Sequence, residues 1–256
     1  MRARTGIKLE HEQIYRGNLI LVNASFPLKE GAAKDLVPVD PSIPDVLMKR
    51  DAADVLQLVL EKISADGDIV PVSGYRSSEE QTELYRESLR LNGKEFTEKY
   101  VALPDHSEHQ TGLAIDLGLN CGEIDFIRPD FPYEGICEKF RREAPNYGFI
   151  ERYKKGKEKI TGIAHEPWHF RYVGYPHSNI MEDVDLSLEE YIDFLKNYRD
   201  DRHLIYDGTD GVYMEIFYVP AAEDETPISL PQAGVYQISG NNVDGFIVTV
   251  WRREND

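Results

Sequence analysis

From Pro44 to about Ala65 the apolar residues Val46, Leu47, Val55, Leu56, Val59, Leu60 and Ile63 keep mostly helical spacing, which predicts a long amphipathic helix. Ser77 and Ser78, with Glu80 and Gln81 three residues on, have capping-box spacing. They open a second helix expected to reach about Leu91 and stop near Gly93. Further helices are expected from about Ile136 to Arg142 and, with a cap, over 187–198 (SLEEYIDFLKNY). Between them, 69–75 (IVPVSGY), 113–119 (LAIDLGL) and 168–174 (WHFRYVG) read as strands, and 19–23 (LILVN) as a strand or extended segment. After about Asp201 the pattern changes to alternating aromatic and β-branched runs at 212–220, 234–239 and 245–251. The expectation is an α+β body over residues 1–200 with a small β-rich extension over 201–256.

Composition narrows the class of protein. With 41% hydrophobic and 29% charged residues, the 256-residue chain has the material for a real core and none of the bias of a disordered or fibrous sequence. A formal net charge of −17 argues against nucleic acid, whose recognition needs cations to neutralise phosphates, and against anionic membrane surfaces. No apolar run approaches the roughly 20 residues of a bilayer span. The basic N-terminal residues are not followed by an apolar stretch of the secretory kind, so a cytoplasmic protein without a membrane anchor is expected. Cys121 and Cys137 lie in no C-x-x-C pair and are expected to be free thiols.

The candidate chemistry starts at residues 165–169, HEPWH, whose letters match the zinc-protease helix H-E-x-x-H. Pro167 drives Glu166 out of the α region, and the residues that follow, Trp168, Phe170, Tyr172 and Val173, are strand formers. The helical reading fails, and His165 is not expected to be a ligand. His169 keeps its interest if partners come from elsewhere, and residues 106–116 (HSEHQTGLAID) offer His109 and Asp116. In that strand Ala114 and Asp116 share one face, and a carboxylate among apolar strand residues must be paired or coordinated. Two imidazoles and one carboxylate leave a fourth position open, the pattern of a catalytic zinc site, with Glu166 placed as general base. Arg76 stands at a strand-to-helix junction. Taken singly, each of these residues has an ordinary explanation as a surface or capping group; their number in two clusters makes that explanation weak.

At 73–81 (SGYRSSEEQ), 107–116 (SEHQTGLAID) and 166–174 (EPWHFRYVG) the sequence resembles the zinc D-Ala-D-Ala peptidases of the VanX/VanY type, the blocks falling in the right order over about the first 200 residues. It looks closest to the bifunctional VanXY branch found in glycopeptide-resistant bacteria. The resemblance implies a fold with a central antiparallel sheet flanked by helices, and one Zn2+ held by His109, Asp116 and His169. It implies Glu166 as catalytic base and Arg76 as the group that stabilises the developing oxyanion. Ser107 and Gln81 are implied holders of the substrate carboxylate, with helix capping as the rival role for Gln81. The implied substrates are D-Ala-D-Ala and muramyl pentapeptide precursors ending in D-Ala-D-Ala, and the implied outcome is vancomycin resistance. Two rivals share the zinc fold: a peptidoglycan endopeptidase and a non-catalytic binding module. Trp168 is expected to pack the core, and the C-terminal β unit to serve packing or homodimerisation.

Overall fold

The computed structural model describes residues 4–29, 33–199, 201–231 and 234–253. In chain order the strands are β1 (Arg4–Glu10), β2 (Leu36–Asp40), β3 (Ile43–Lys49), β4 (Ile69–Ser73), β5 (Ala114–Leu119), β6 (Phe149–Tyr153), β7 (Glu166–Tyr172), β8 (Leu204–Asp207), β9 (Val212–Pro220), β10 (Glu225–Pro231), β11 (Val235–Gly240) and β12 (Gly245–Arg253). The helices are α1 (Arg50–Ile63), α2 (Ser78–Tyr100), α3 (Gly135–Glu143), α4 (Glu158–Thr161), α5 (His177–Asp183) and α6 (Leu188–Leu195). None of the described helices is long and apolar enough to cross a membrane.

The chain divides into two compact units, 22–187 and the union of 1–21 with 188–256. The larger unit is built on an antiparallel sheet of order β4-β5-β7-β6. Side chains alternate across its strands. Ile115 and Leu117 of β5 and Trp168 and Phe170 of β7 join the core with Leu56 and Val59 of α1 and Cys137 and Phe140 of α3. Phe170 meets Phe131 and Phe140 edge-on, with centroids 5.4 and 4.9 Å away, contacts that add about 0.5–1.5 kcal/mol per pair beyond the buried area. The opposite face of the same strands carries Asp116, His169 and Arg171, and the register sets Asp116 directly against His169 and Ala114 against Arg171.

The smaller unit has the sheet β11-β12-β9-β8 and the two-stranded pair β1-β10. Phe217, Phe246, Val248, Ile228 and Leu230 form its core together with Ile14. The sequence pattern predicts an extension that begins at residue 201 and an N-terminus that belongs with the body. Here β1 pairs along its whole length with β10, from Arg4 against Pro231 to Glu10 against Glu225, so the N-terminal segment belongs with the tail.

Two elements differ from their expected form. The helix expected from Pro44 begins at Arg50, because Val46 and Met48 lie on β3, whose alternate residues are buried and which pairs with β2. Their spacing fits either period when only a few residues are counted. The second helix resumes past Gly93, which takes φ 78° and kinks it, and continues to Tyr100. Residues 19–22 are buried yet join no ladder; Leu21 N–H instead donates to Asn241 O at 3.0 Å. Both cysteines are free, Cys121 exposed and Cys137 buried.

Candidate active site

Three side chains reach one point from two places in the chain. The strand register brings Asp116 of β5 and His169 of β7 face to face, a separation of about 4.5–5.5 Å between β-carbons in such pairs. His109 comes from a short 3-10 turn, Glu108–Thr111, closed by Gly112 at φ 69°, a left-handed conformation that lets the chain turn straight into β5. One atom from each of His109, Asp116 and His169 lies within 4.8 Å of the others, and all three residues are buried. His109 Nε2 is 3.2 Å from Asp116 Oδ2, and His169 Nδ1 is 2.8 Å from Asp116 Oδ1. Bonds of about 2.0–2.2 Å to a tetrahedral zinc require donor separations of roughly 3.3 Å. His109 Nε2 stands at about that distance from Asp116 Oδ2, and His169 Nδ1 lies about half an ångström closer than that to the other oxygen, Oδ1.

The protonation pattern suits ligation. His109 Nδ1 lies 2.7 Å from the carbonyl of Gly74, which can only accept, so the proton sits on Nδ1 and the Nε2 lone pair faces the cluster. Burial, together with the Arg76 charge, lowers the His109 pKa to about 4 and keeps the ring neutral. His169 is the opposite case. Burial works to lower its pKa, but Asp116, Glu108 and Glu166 outweigh it and raise the pKa to about 9. A proton shared between His169 Nδ1 and Asp116 occupies the place that a divalent cation would take, since metal binding displaces protons from its ligands.

Glu166, the first residue of β7, has an oxygen 3.9 Å from His169 Nδ1 and is 5% exposed. Burial and the Asp116 charge, opposed by His169 and Arg76, push its pKa up to about 8, a value suited to a proton carrier near neutrality. Arg76 follows β4 and is fixed from three sides. Its Nε donates to Ser73 Oγ at 3.2 Å, its Nη1 donates to Gln81 Oε1 at 2.8 Å, and its Nη2 lies 3.5 Å from Asp116 Oδ2. Ser77 and Glu80 make the capping box of α2, so Gln81 is released from that role. It is fully buried, accepting from Arg76 and donating to Ala102 O at 2.7 Å. Ser107 precedes the 3-10 turn and, with Arg76, His109, Asp116, Glu166 and His169, lines a cavity of about 40 Å³. Trp168 both belongs to the core and borders this cavity. His165 stays outside the cluster, stacked on Tyr133 and 2.6 Å from its hydroxyl.

Four residues next to the cluster were not singled out from the sequence. Tyr153 of β6 lays its ring 4.8 Å from that of His169 at 37°. Glu108 Oε1 accepts from Arg152 Nε and Arg171 Nη1, both at 2.8 Å, with all three side chains fully buried. Burial alone would raise the Glu108 pKa, but the two guanidinium groups hold it far below the usual carboxylate range. Charged residues inside strand-forming runs, Glu151 and Arg152 in 149–153 (FIERY) and Arg171 two positions after His169, are the available signal, since a buried arginine in a strand demands a carboxylate.

Comparison with known proteins identifies the family. The family model described as VanY, D-alanyl-D-alanine carboxypeptidase, matches residues 45–175. VanXYC of Enterococcus gallinarum, a bifunctional D-Ala-D-Ala dipeptidase and D-Ala-D-Ala carboxypeptidase, is 42% identical over 179 residues, 69% of this chain and 94% of that one. The crystal structure of the vancomycin-resistance D,D-dipeptidase VanXYg with a D-Ala-D-Ala phosphinate analog superposes with a TM-score of 0.96 at 62% identity, covering 98% of this chain and 100% of that one. A vancomycin-resistance D,D-pentapeptidase VanY from a VanB-type cassette, in complex with Zn(II), matches at 29% identity and a TM-score of 0.55 over 68% of this chain and 98% of that one. The buried His-Asp-His cluster, the antiparallel sheet that carries it and these similarities have one conclusion: the chain belongs to the VanY family of D-alanyl-D-alanine carboxypeptidases.

Proposed function

We propose that this chain is a zinc-dependent bifunctional D,D-peptidase that hydrolyses free D-Ala-D-Ala and removes the terminal D-Ala from muramyl pentapeptide precursors, acting in the cytoplasm and supporting vancomycin resistance. The observation that carries this reading is the convergence of His109, Asp116 and His169, buried, on one point beside Glu166. When bound there, zinc supplies Lewis-acid polarisation of the scissile carbonyl and lowers the pKa of a water. Glu166 takes the proton of the attacking water and returns it to the amine of the departing D-Ala. Arg76, held by Ser73, Gln81 and Asp116, presents a fixed cation for the charge that develops on the carbonyl oxygen. Ser107, which lines the cavity, holds the substrate's terminal carboxylate in this reading, and Gln81 contributes through Arg76.

Support for action on longer peptides comes from a second cavity of about 200 Å³, which shares Val101, Ala102, Tyr153 and Ile163 with the first. It offers room for residues upstream of the D-Ala-D-Ala end. The test is D-Ala release from D-Ala-D-Ala and from a pentapeptide ending in D-Ala-D-Ala, before and after chelation and zinc add-back. Zinc-dependent release from both is expected; release from neither, by zinc-loaded protein, would overturn the assignment.

A further inference from the structure

The two histidines of the cluster each turn a second ring nitrogen away from it, and those nitrogens meet different surroundings. His109 Nδ1 donates to the backbone carbonyl of Gly74. His169 Nε2 is buried without a hydrogen-bond partner, and the nearest carboxylate oxygen, Glu108 Oε2 at 3.6 Å, is buried and equally without one. Glu108 and His169 are only 1% and 3% exposed, so solvent does not satisfy either atom. Leaving a buried donor and a buried acceptor unused costs about 1–3 kcal/mol each, which makes two orphans aimed at each other an unfinished bond.

We infer that Glu108 is a positioning residue of the metal centre: its Oε2 accepts the Nε2–H of His169 once Nδ1 is committed to zinc. The inference rests on the reading of His109, Asp116 and His169 as ligands. With Nδ1 given to a cation, the neutral ring has a single N–H, on Nε2, and Glu108 Oε2 is what lies in front of it. A movement of under 1 Å brings 3.6 Å to ordinary hydrogen-bond length. The resulting carboxylate–histidine–metal chain fixes the tautomer and plane of the ring and makes Nδ1 a better donor.

The placement of Glu108 equips it for this. Its other oxygen is gripped by Arg152 of β6 and by Arg171, two residues beyond His169 on the same face of β7. Glu108 also directly precedes His109, so one turn delivers a ligand and the group that orients the other ligand. A purely structural reading would have Glu108 serve only to neutralise the two arginines. That reading explains Oε1 and leaves Oε2 and His169 Nε2 unexplained.

The first experiment uses the wild-type chain, loaded with zinc and labelled with 15N-histidine, and reads long-range 1H–15N correlations. His169 is expected to bind metal through Nδ1 and to carry a slowly exchanging, hydrogen-bonded proton on Nε2; metal on Nε2, or a rapidly exchanging Nε2 proton, would overturn the inference. The second is Glu108→Gln, whose amide has one acceptor and cannot serve both the arginines and His169. Competition with a chromophoric chelator should show zinc affinity weakened by about 10–100-fold, with an altered visible spectrum of the cobalt form. Glu108→Asp should recover part of that loss. Arg171→Met, which removes a partner of Oε1 only, should change stability with a smaller effect on zinc affinity than Glu108→Gln. A folded Glu108→Gln protein with wild-type zinc affinity and cobalt spectrum rejects the role. A wild-type chain that binds no zinc rejects the ligand reading itself, a result distinct from zinc binding indifferent to Glu108.

Discussion

Gly74 links the fold to the proposed metal site, and Gly74→Ala tests the link. The carbonyl of Gly74 accepts the Nδ1–H of His109, and its α-carbon lies so close to β3 that an added methyl group would fall inside the contact distance of Leu47 O and 3.1 Å from both Leu47 C and Leu47 N. Those are backbone atoms of a paired strand and cannot swing aside, so β3 or the β4 end must retreat by roughly 1 Å to reach ordinary carbon contacts. Overpacking of this kind costs about 1–3 kcal/mol. The Tyr75 N–H bond to Leu47 O, 2.6 Å long, crosses the same gap and goes with it, adding about 0.5–1.5 kcal/mol. The expected loss is therefore about 2–4 kcal/mol, read as a lower midpoint in urea at unchanged slope. The same shift moves the acceptor that orients His109, so zinc affinity should fall by about 10–100-fold in a chelator competition. Gly6→Ala, with nothing within 4 Å of the added carbon, is the control and should be near neutral. Gly74→Ala within about 0.5 kcal/mol of wild type and with unaltered zinc binding would refute the reasoning.

Glu166→Ala should retain zinc by metal analysis while D-Ala release falls by at least about 10²–10⁴-fold, the usual weight of a general base; a fully active variant removes Glu166 from the mechanism. Burial lowers the pKa of His177 to about 3, below its unfolded value of 6.5. The unfolded chain therefore binds the extra proton between those values, and stability is lost as pH falls through that window, by up to about 5 kcal/mol from this group. Urea unfolding of His177→Leu from pH 7 to pH 4 should show a shallower acid decline than wild type; parallel profiles would contradict it. Ile163→Trp, which fills the wall shared by the two cavities, should lower kcat/KM for a D-Ala-D-Ala-ended pentapeptide by about tenfold or more and spare the free dipeptide. Equal losses on both substrates would show that the larger cavity does not hold the upstream residues.

Much of the candidate site is legible in the sequence because its residues stand at fixed distances from strong local signals. Pro167 and the strand formers after it rule out a helix for HEPWH, and β7 begins at Glu166. Ser77 and Glu80 mark the start of α2 and so place Arg76 just before it. What the sequence hides is pairing. Nothing local reveals that Asp116 faces His169, a match set by register across 53 residues, or that β1 belongs with β10. Glu108 lies within the segment 106–116, yet its meaning depends on Arg152 and Arg171 arriving from two other strands. The start of α1 is hidden for a related reason: Val46 and Leu47 fit a helical period until β2 supplies a partner for the strand.

The pairing of β1 with β10 has a temporal side. During synthesis Glu10 leaves the ribosome long before Glu225 exists, so the N-terminal strand must wait for 215 residues before its partner is made. At about 5–20 residues per second the delay is on the order of 10–40 s, very long against the microseconds in which a hairpin closes. All of residues 22–187 are polymerised within that interval. The nascent chain thus has time to assemble the unit that bears His109, Asp116 and His169 while an unpaired strand of seven residues stays open to chaperones or to neighbouring chains.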